Sequence, residues 1–556
     1  MSKLRFNSIC ENFYNWEKNT PNTIFLKQPY GDSWKDYTYG EAGIEIRKMV
    51  SALKALNLPP HSNIGMISKN CAHWIMADLA IAMAGHVSVP FYATLVAEQL
   101  KQVLDHSQCK LLFLGKLDDF ESMKAGISAD IQCIAFPEEY AGSPVHQYQT
   151  WGDFVGNNEP YVQNYLPKNE DLYTIIYTSG TTGMPKGVMT TFGGFIAGLN
   201  STADVVKLDT PDAKFFSYLP LCHIAERNIV EAAGIATGGT IYFSESLESF
   251  PKNLAVAQPT HFLAVPRIWS KFQLGILGKM PQKKLDIFLK IPILNNIVKK
   301  KIQTALGLQN AKVILTGAAP MPESLINWYK KLGISIRNAY GMSENLGAHS
   351  MMPADWEKGG TVGKTYQGTE TRIDPETGEI QMKASWNTQG YYREPKLTQD
   401  LYKDGWLCTG DMGEIDSDGF LRITGRVKDQ FKTAKGEYVV PGALELAFAT
   451  NNYVEQICVA GAGLPQPCAL IILSDIGKAA DKEELGKSLT ETVAIVNAQV
   501  KNYEHLKTLI ILKEPWSVEN NMLTPTLKIK RNIVEAKFSK LMADNCELKD
   551  LIVYEP

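Results

Sequence analysis

Short apolar runs alternate with helical patterns along the first two-thirds of the chain, and this alternation predicts parallel α/β sheets. Strands are predicted at Asn63–Ser68, Leu111–Leu114, Ile175–Thr178, Val313–Thr316 and Ile334–Asn338, with a buried helix at Cys71–Ala84. The most apolar long stretch, His73–Tyr92, is interrupted by Asp78 and His86 and falls short of a continuous membrane span. Toward the C-terminus the pattern predicts a smaller α+β unit. It has strands at Gln456–Val459 and Ala469–Ser474 and a helix over Lys482–Lys501, and the charged turn Gly425–Asp429 precedes it as a linker. Sheets of the first kind bind ligands where strand ends run into glycine and hydroxyl residues.

Composition narrows the classes. The 556 residues are 45% apolar and 21% charged, which fits a globular chain and excludes disorder. Lys and Arg number 56 against 59 Asp and Glu, so a strongly basic nucleic-acid binder is disfavoured. The nine cysteines (Cys10, Cys71, Cys109, Cys133, Cys222, Cys408, Cys458, Cys468 and Cys546) are scattered and form no Cys-x-x-Cys pair. With a polar Met1–Asn19 lacking an apolar signal core, they predict a reducing, cytoplasmic compartment.

One segment departs from the even charge. Lys271–Lys301 holds eight lysines (271, 279, 283, 284, 290, 299, 300 and 301) and a single acid, Asp286, interleaved with Leu285, Ile287, Phe288, Ile291, Ile293 and Ile297. It reads either as an amphipathic surface helix with a solvated basic face or as a contact with an anionic membrane surface.

The strongest chemical signal is Tyr177-Thr178-Ser179-Gly180-Thr181-Thr182-Gly183-Met184-Pro185-Lys186-Gly187, delivered by the apolar run Leu172–Tyr177. Its glycines allow close backbone approach, its hydroxyls and amides can donate to phosphate oxygens, and Lys186 adds a point charge. It is not a Walker A loop, because Lys186 is followed by Gly187. Gly363-Lys364-Thr365 and Gly486-Lys487-Ser488 also fail that pattern, since Lys358 and Asp481 stand where the first glycine belongs. No Gly-x-Gly-x-x-Gly occurs at Gly461-Ala462-Gly463.

This loop resembles the phosphate-loop motif of the adenylate-forming superfamily of acyl-CoA synthetases, luciferases and peptide-synthetase adenylation domains. Seven further motifs follow in that family's order. They are Leu219-Pro-Leu-Cys-His223-Ile-Ala-Glu-Arg227, Thr316-Gly-Ala-Ala-Pro320, Ala339-Tyr340-Gly341-Met342-Ser343-Glu344, Thr409-Gly410-Asp411, Gly425-Arg426-Val427-Lys428-Asp429, Lys435-Gly436-Glu437-Tyr438 and Thr524-Pro-Thr-Leu-Lys528-Ile-Lys-Arg531. The first, sixth and seventh are similar to the long-chain fatty acid subgroup. The resemblance implies an α/β fold in which a large multi-subdomain N-terminal body with parallel-type sheets, residues 1–425, binds ATP and acyl group. A small mobile α+β C-terminal domain, residues 426–556, would carry the adenylation lysine.

The same resemblance implies the chemistry. A carboxylate reacts with ATP and Mg²⁺ to give acyl-adenylate and pyrophosphate, and coenzyme A then displaces AMP. Bringing anions together makes catalysis largely positioning and charge neutralisation. Thr178, Ser179, Gly180, Thr181, Thr182, Gly183 and Lys186 are expected around the triphosphate. Ser343 is expected at the α-phosphate, Glu344 on Mg²⁺, Tyr340 against adenine beside Gly341, and Asp411 and Arg426 on the ribose. Gly317, Ala318 and Ala319 are small enough either to let a purine or acyl chain pass or simply to pack. Lys428 marks the hinge.

Lys528 is expected to bridge the attacking carboxylate and the α-phosphate. Leu527 replaces the glycine usual before it, Lys530 and Arg531 crowd it, and Lys530 is the runner-up. His223 lies either near the carboxylate and thiol path or in a structural pair with Glu226, and Arg227 holds local loop structure. The leading reading is a long-chain fatty acid–CoA ligase. Loading of an acyl carrier protein, another hydrophobic acid, and a non-catalytic lipid or nucleotide sensor are the alternatives. The lysine-rich segment adds a peripheral contact with membrane lipid, and oligomeric state is not readable.

Overall fold

Strands Asn63–Ile67, Val87–Phe91, Leu111–Leu114 and Leu172–Thr178 belong to one seven-stranded sheet, ordered 149–150, 132–135, 111–114, 63–67, 87–91, 172–178 and 186–191. Every neighbour pair is parallel except the last, where Leu172–Thr178 and Lys186–Thr191 run antiparallel. The computed structural model describes residues 5–178, 185–356, 358–448, 451–518, 520–524, 528–546 and 550–556.

A second sheet of nine strands is ordered 364–365, 350–351, 337–340, 313–316, 261–263, 214–217, 240–243, 24–30 and 33–38. It is parallel through its middle and antiparallel at both ends. The helix Ala72–Met83 is apolar apart from His73 and Asp78 and is buried at every residue, as a helix apolar nearly all round must be. Its core runs without a break into Ile64 and Phe113 of the first sheet and Phe25, Phe215 and Ile241 of the second. The apolar stretch His73–Tyr92 is therefore a core helix, a turn at Gly85 with φ +83°, and the strand Val87–Phe91.

Two elements depart from the pattern. The strand expected at Ile334–Asn338 is formed by Arg337–Tyr340. Ile334 closes the preceding helix through its N–H to the Tyr329 carbonyl, so the apolar character of Ile334 and Ile336 reports core burial rather than a strand. The body is also not wholly parallel: residues 370–426 form a third, antiparallel sheet, 370–373, 379–383, 406–415 and 402–403, with 421–426 on the outer side of 406–415. Its longest strand, 406–415, alternates buried and half-buried positions and the others are short or mostly half-buried, which leaves no long apolar run to read.

The C-terminal part is α+β. Strands Val454–Ala460, Cys468–Leu473, Thr508–Leu512 and Ile552–Tyr554 form a mixed sheet packed by Lys482–Asn497 and Arg531–Asn545. Between this part and the body stand the strand Leu421–Arg426 and the short turn Val427–Asp429. The lysine-rich segment is three helices rather than one, Pro266–Lys279, Gln282–Lys290 and Pro292–Ala305, because Pro281 and Pro292 end each run. Among the described residues no helix is long and apolar enough to cross a membrane.

Candidate functional site

The strand Leu172–Thr178 runs through the core and its return strand begins at Lys186, with Thr178 opposite Lys186 in register. The strand's carboxyl end, where ligands bind in such sheets, is therefore at Thr178. Ser179, Gly180, Thr181, Thr182 and Gly183 lie outside the described residues. The Lys186 ammonium stands 5.0 Å from the centroid of the Tyr391 ring. Tyr391 is held against the return strand by a bridge to Val188, and its hydroxyl donates to Glu344 Oε1 at 2.7 Å. Burial first, and then the Glu344 charge, push the Tyr391 phenol well above its ordinary pKa, so it stays a donor.

Ser343 and Glu344 form a single tight turn, Ser343–Asn345, after the strand Arg337–Tyr340, and both are buried. The Asn345 side chain pins the turn by accepting from the Met342 N–H at 2.8 Å. Gly341 is required, because a Cβ there would lie 2.2 Å from the Gly347 carbonyl carbon. Gly317 is buried at the end of Val313–Thr316, where a Cβ would meet the Ala339 oxygen at 3.0 Å. Ala318 and Ala319 are exposed, and Ala318 holds φ +62°, a strained value for a residue other than glycine.

Tyr340, Asp411 and Arg426 form a second cluster. The Tyr340 hydroxyl donates to Asp411 Oδ2 at 2.8 Å, and Arg426 Nε pairs with Asp411 Oδ1 at 2.9 Å. The pairing is built by register, since Asp411 and Arg426 stand opposite each other on antiparallel strands. Tyr340 packs its ring against His349, centroids 5.1 Å apart. Its phenol thus orients the carboxylate, a part not readable from the sequence. Lys428 is exposed in the turn Val427–Asp429.

Lys528 approaches this cluster from the C-terminal domain. It is exposed, and it lies near enough to Arg426, Asp411 and Glu344 to feel their charges. Lost solvation first, and then Arg426, lower its pKa, while Asp411 and Glu344 act in the opposite sense. The crowding by Lys530 and Arg531 is resolved by direction: Lys530 reaches Asn521, and Arg531 reaches Glu445 at 2.7 Å and the Val459 carbonyl. Both are thus engaged by partners other than Glu344 and Asp411.

His223 is half-buried, and burial first, then the nearby Lys528 ammonium, lower its pKa to about 4, so it is neutral at pH 7. Its Nδ1 accepts from the Ala225 N–H at 3.2 Å, capping a short helix. It is not paired with Glu226. That carboxyl accepts instead from the Tyr218 N–H at 2.8 Å, and burial raises its pKa to about 8.

Arg227 does more than hold a loop. It is fully buried and joins Asp78 at 2.6 Å, Glu231 at 3.2 Å, the Tyr173 hydroxyl at 2.7 Å and Thr174 at 2.8 Å. Asp78, which interrupts the apolar stretch in sequence, is thus the partner of a charge 149 residues away. Arg227 opens a six-residue π-helical segment, Arg227–Ala232, a distortion frequent beside functional sites. Through Tyr173 and Thr174 it ties the His223 turn to the strand that feeds the phosphate loop.

A strand-end lysine, a buried Glu344 turn and the Tyr340–Asp411–Arg426 cluster are the parts expected of an enzyme that handles an adenine nucleotide. Residues 13–392 match the AMP-binding enzyme family and residues 428–545 match the AMP-binding enzyme C-terminal domain, so the chain belongs to the AMP-binding enzyme family. The motif resemblance to the adenylate-forming superfamily is borne out. Among curated relatives, the long-chain-fatty-acid–CoA ligase FadD15 of Mycobacterium tuberculosis is 28% identical over 96% of this chain and 96% of its own length. Long-chain-fatty-acid–CoA ligase 5 of Mus musculus is 29% identical over 85% of this chain and 78% of its own. The fold is that of the anthranilate CoA ligase AuaEII in complex with anthranoyl-AMP (TM-score 0.79, 18% identity, 97% of this chain and 99% of that one). It is also that of the adenylation domain of carboxylic acid reductase from Segniliparus rugosus in complex with AMP (TM-score 0.78, 19% identity, 97% and 94%).

Proposed function

We propose that the protein activates a long-chain fatty acid with ATP through an acyl-adenylate and passes the acyl group to coenzyme A. The observation that carries this reading is the pairing of Asp411 with Tyr340 and Arg426 at the strand ends beside the Glu344 turn, with Lys528 of the C-terminal domain within reach of their charges. The names of the curated relatives supply the substrate class.

In the first half-reaction a fatty carboxylate oxygen attacks the α-phosphorus and the bond to the β-phosphate breaks. Lys528 holds the two anions together and offsets charge as pyrophosphate leaves. Lys186 and the hydroxyls of residues 178–183 receive the departing phosphates, and Ser343 donates to the α-phosphate. Asp411, oriented by Tyr340 and Arg426, accepts the ribose hydroxyls, while Gly317, Ala318 and Ala319 line the path beside Gly341. Glu344 fits a magnesium site: Tyr391 occupies Oε1, and Oε2 takes no hydrogen bond among the described residues. Mg²⁺ there would neutralise phosphate charge. In the second half-reaction the thiol gives its proton to solvent, the thiolate sulfur attacks the acyl carbon and AMP leaves; His223, whose Nδ1 is taken by the Ala225 N–H, offers its Nε2–H as a donor on that path. Lys528 has no part in that step, so the C-terminal domain beyond the hinge at Lys428 rotates as a unit relative to the body, while Arg426 stays paired with Asp411 on the body's sheet. The acid is drawn from a lipid surface faced by Lys271–Lys301.

The test is a series of saturated acids from hexanoate to stearate, with pyrophosphate release and thioester read together. A pocket for a long chain predicts about a fourfold rise in kcat/KM per added methylene, from about 0.8 kcal/mol each, until the pocket is full. A flat series, or preference for a small aromatic acid, overturns the reading.

A further inference from the structure

We propose that Asn70 is a positioning residue for acyl transfer, fixing the loop 218–223 and with it the place of the His223 imidazole. Asn70 follows the strand Asn63–Ile67 of the first sheet and precedes the helix Ala72–Met83. Its buried amide reaches the second sheet where the strand Lys214–Ser217 ends. Nδ2 donates to the Ser217 hydroxyl at 2.8 Å and to the Leu219 carbonyl at 2.6 Å, and Oδ1 accepts from the Leu221 N–H at 3.1 Å. Both amide hydrogens and the carbonyl of one side chain are thus engaged within the stretch 217–221.

That stretch needs such partners. It carries Pro220 and turns between the strand end at Ser217 and the short helix Ile224–Glu226, so its backbone groups have no ladder to pair with. Asn70 meets two of them, and Glu226 Oε1 meets a third by accepting from the Tyr218 N–H at 2.8 Å. The same Oε1 lies 3.4 Å from Asn70 Nδ2, so the two clamps touch. The helix that begins beside Asn70 holds the segment a second time, because Asp78, two turns on, pairs with Arg227 at 2.6 Å. The helix start is itself tied to the second sheet by the Ala72 N–H, which donates to Gln28 at 2.9 Å. His223 therefore stands between two anchors on one buried helix. Its Nδ1 is turned to the Ala225 N–H, and the imidazole lies within reach of the Lys528 charge. Removing the Asn70 amide leaves the Leu221 N–H buried without a partner, and the loop shifts to find one. A shift of about 1 Å at a reacting site costs about 100-fold in rate.

The inference rests on the ligase reading for the step that Asn70 serves. The test measures passage of the acyl group from supplied palmitoyl-adenylate to coenzyme A in Asn70→Ala, His223→Ala and the double variant. Asn70→Ala should slow it about 10- to 100-fold, with the KM for magnesium-ATP in pyrophosphate exchange unchanged. The double variant should be no slower than His223→Ala, because Asn70 acts through that imidazole. Asn70→Ser, smaller and still polar, should follow Asn70→Ala and serves where the alanine variant does not fold. Independently of activity, site-resolved carbethoxylation should speed up severalfold at His223 in the Asn70 variants and stay unchanged at the exposed His61 and His146. Transfer at the parent rate in both Asn70 variants, losses that multiply in the double variant, or unchanged modification of His223 would each overturn the proposal. No transfer by the parent from any acyl-adenylate, with His223 modification still responding to Asn70, would overturn the ligase reading instead.

Discussion

Tyr391→Phe removes a single oxygen from the site and leaves its ring in place. The phenyl ring still lies under the Lys186 ammonium, so the contact at 5.0 Å survives. What is lost is the hydrogen bond to Glu344 at 2.7 Å, between two groups largely withdrawn from water. A hydrogen bond to a charged group of this kind is worth about 1.5–3 kcal/mol, or about 10- to 150-fold in an equilibrium. Glu344 then loses the contact that fixes its carboxylate toward the phosphates. Acid-dependent ATP–pyrophosphate exchange should fall by about that factor, mainly through a higher KM for magnesium-ATP. Transfer from supplied acyl-adenylate to coenzyme A should be spared. Exchange at the parent rate, with an unchanged KM, would refute the claim that Tyr391 positions Glu344.

Two further outcomes follow from the buried charges. Asp78→Asn removes the main counter-charge of Arg227 at a site with no exposed side-chain surface, and should destabilise the body by about 3–5 kcal/mol in urea unfolding. His73, His86 and His349 are held neutral by burial with pKa values of about 3, 4 and 3, below the ordinary 6.5. The unfolded chain binds those protons first, so stability is complete above about pH 6.5 and falls as pH drops toward 3. His86→Gln should flatten part of that fall in thermal unfolding between pH 6.5 and 4.

Much of the body was legible because its strands are continuous apolar runs with glycine and hydroxyl residues at their ends. Asn63–Ile67, Leu111–Leu114 and Val313–Thr316 fall where the pattern put them. The antiparallel sheet at 370–426 was not legible, because half-buried alternation leaves weak runs. The site divides in the same way. Residues in motifs, such as Lys186, Glu344, Asp411 and Lys528, could be named from their local sequence. Tyr391 could not, because its value lies in reaching Glu344 across 47 residues of chain. Its only trace in the sequence is the pair Tyr391–Tyr392 after Gly390. Asp78 and Glu231 were equally hidden, since an acid in an apolar run declares itself only when its arginine is seen.

The most direct test separates the two half-reactions at the lysine that faces the carboxylates. Lys528→Ala should lose acid-dependent ATP–pyrophosphate exchange by about 100- to 1,000-fold, the usual cost of removing one group that stabilises developing charge. It should still pass the acyl group of supplied palmitoyl-adenylate to coenzyme A at close to the parent rate, and Lys530→Ala should resemble the parent in both steps. Equal loss of both half-reactions in Lys528→Ala, or loss of exchange in Lys530→Ala instead, would contradict the account.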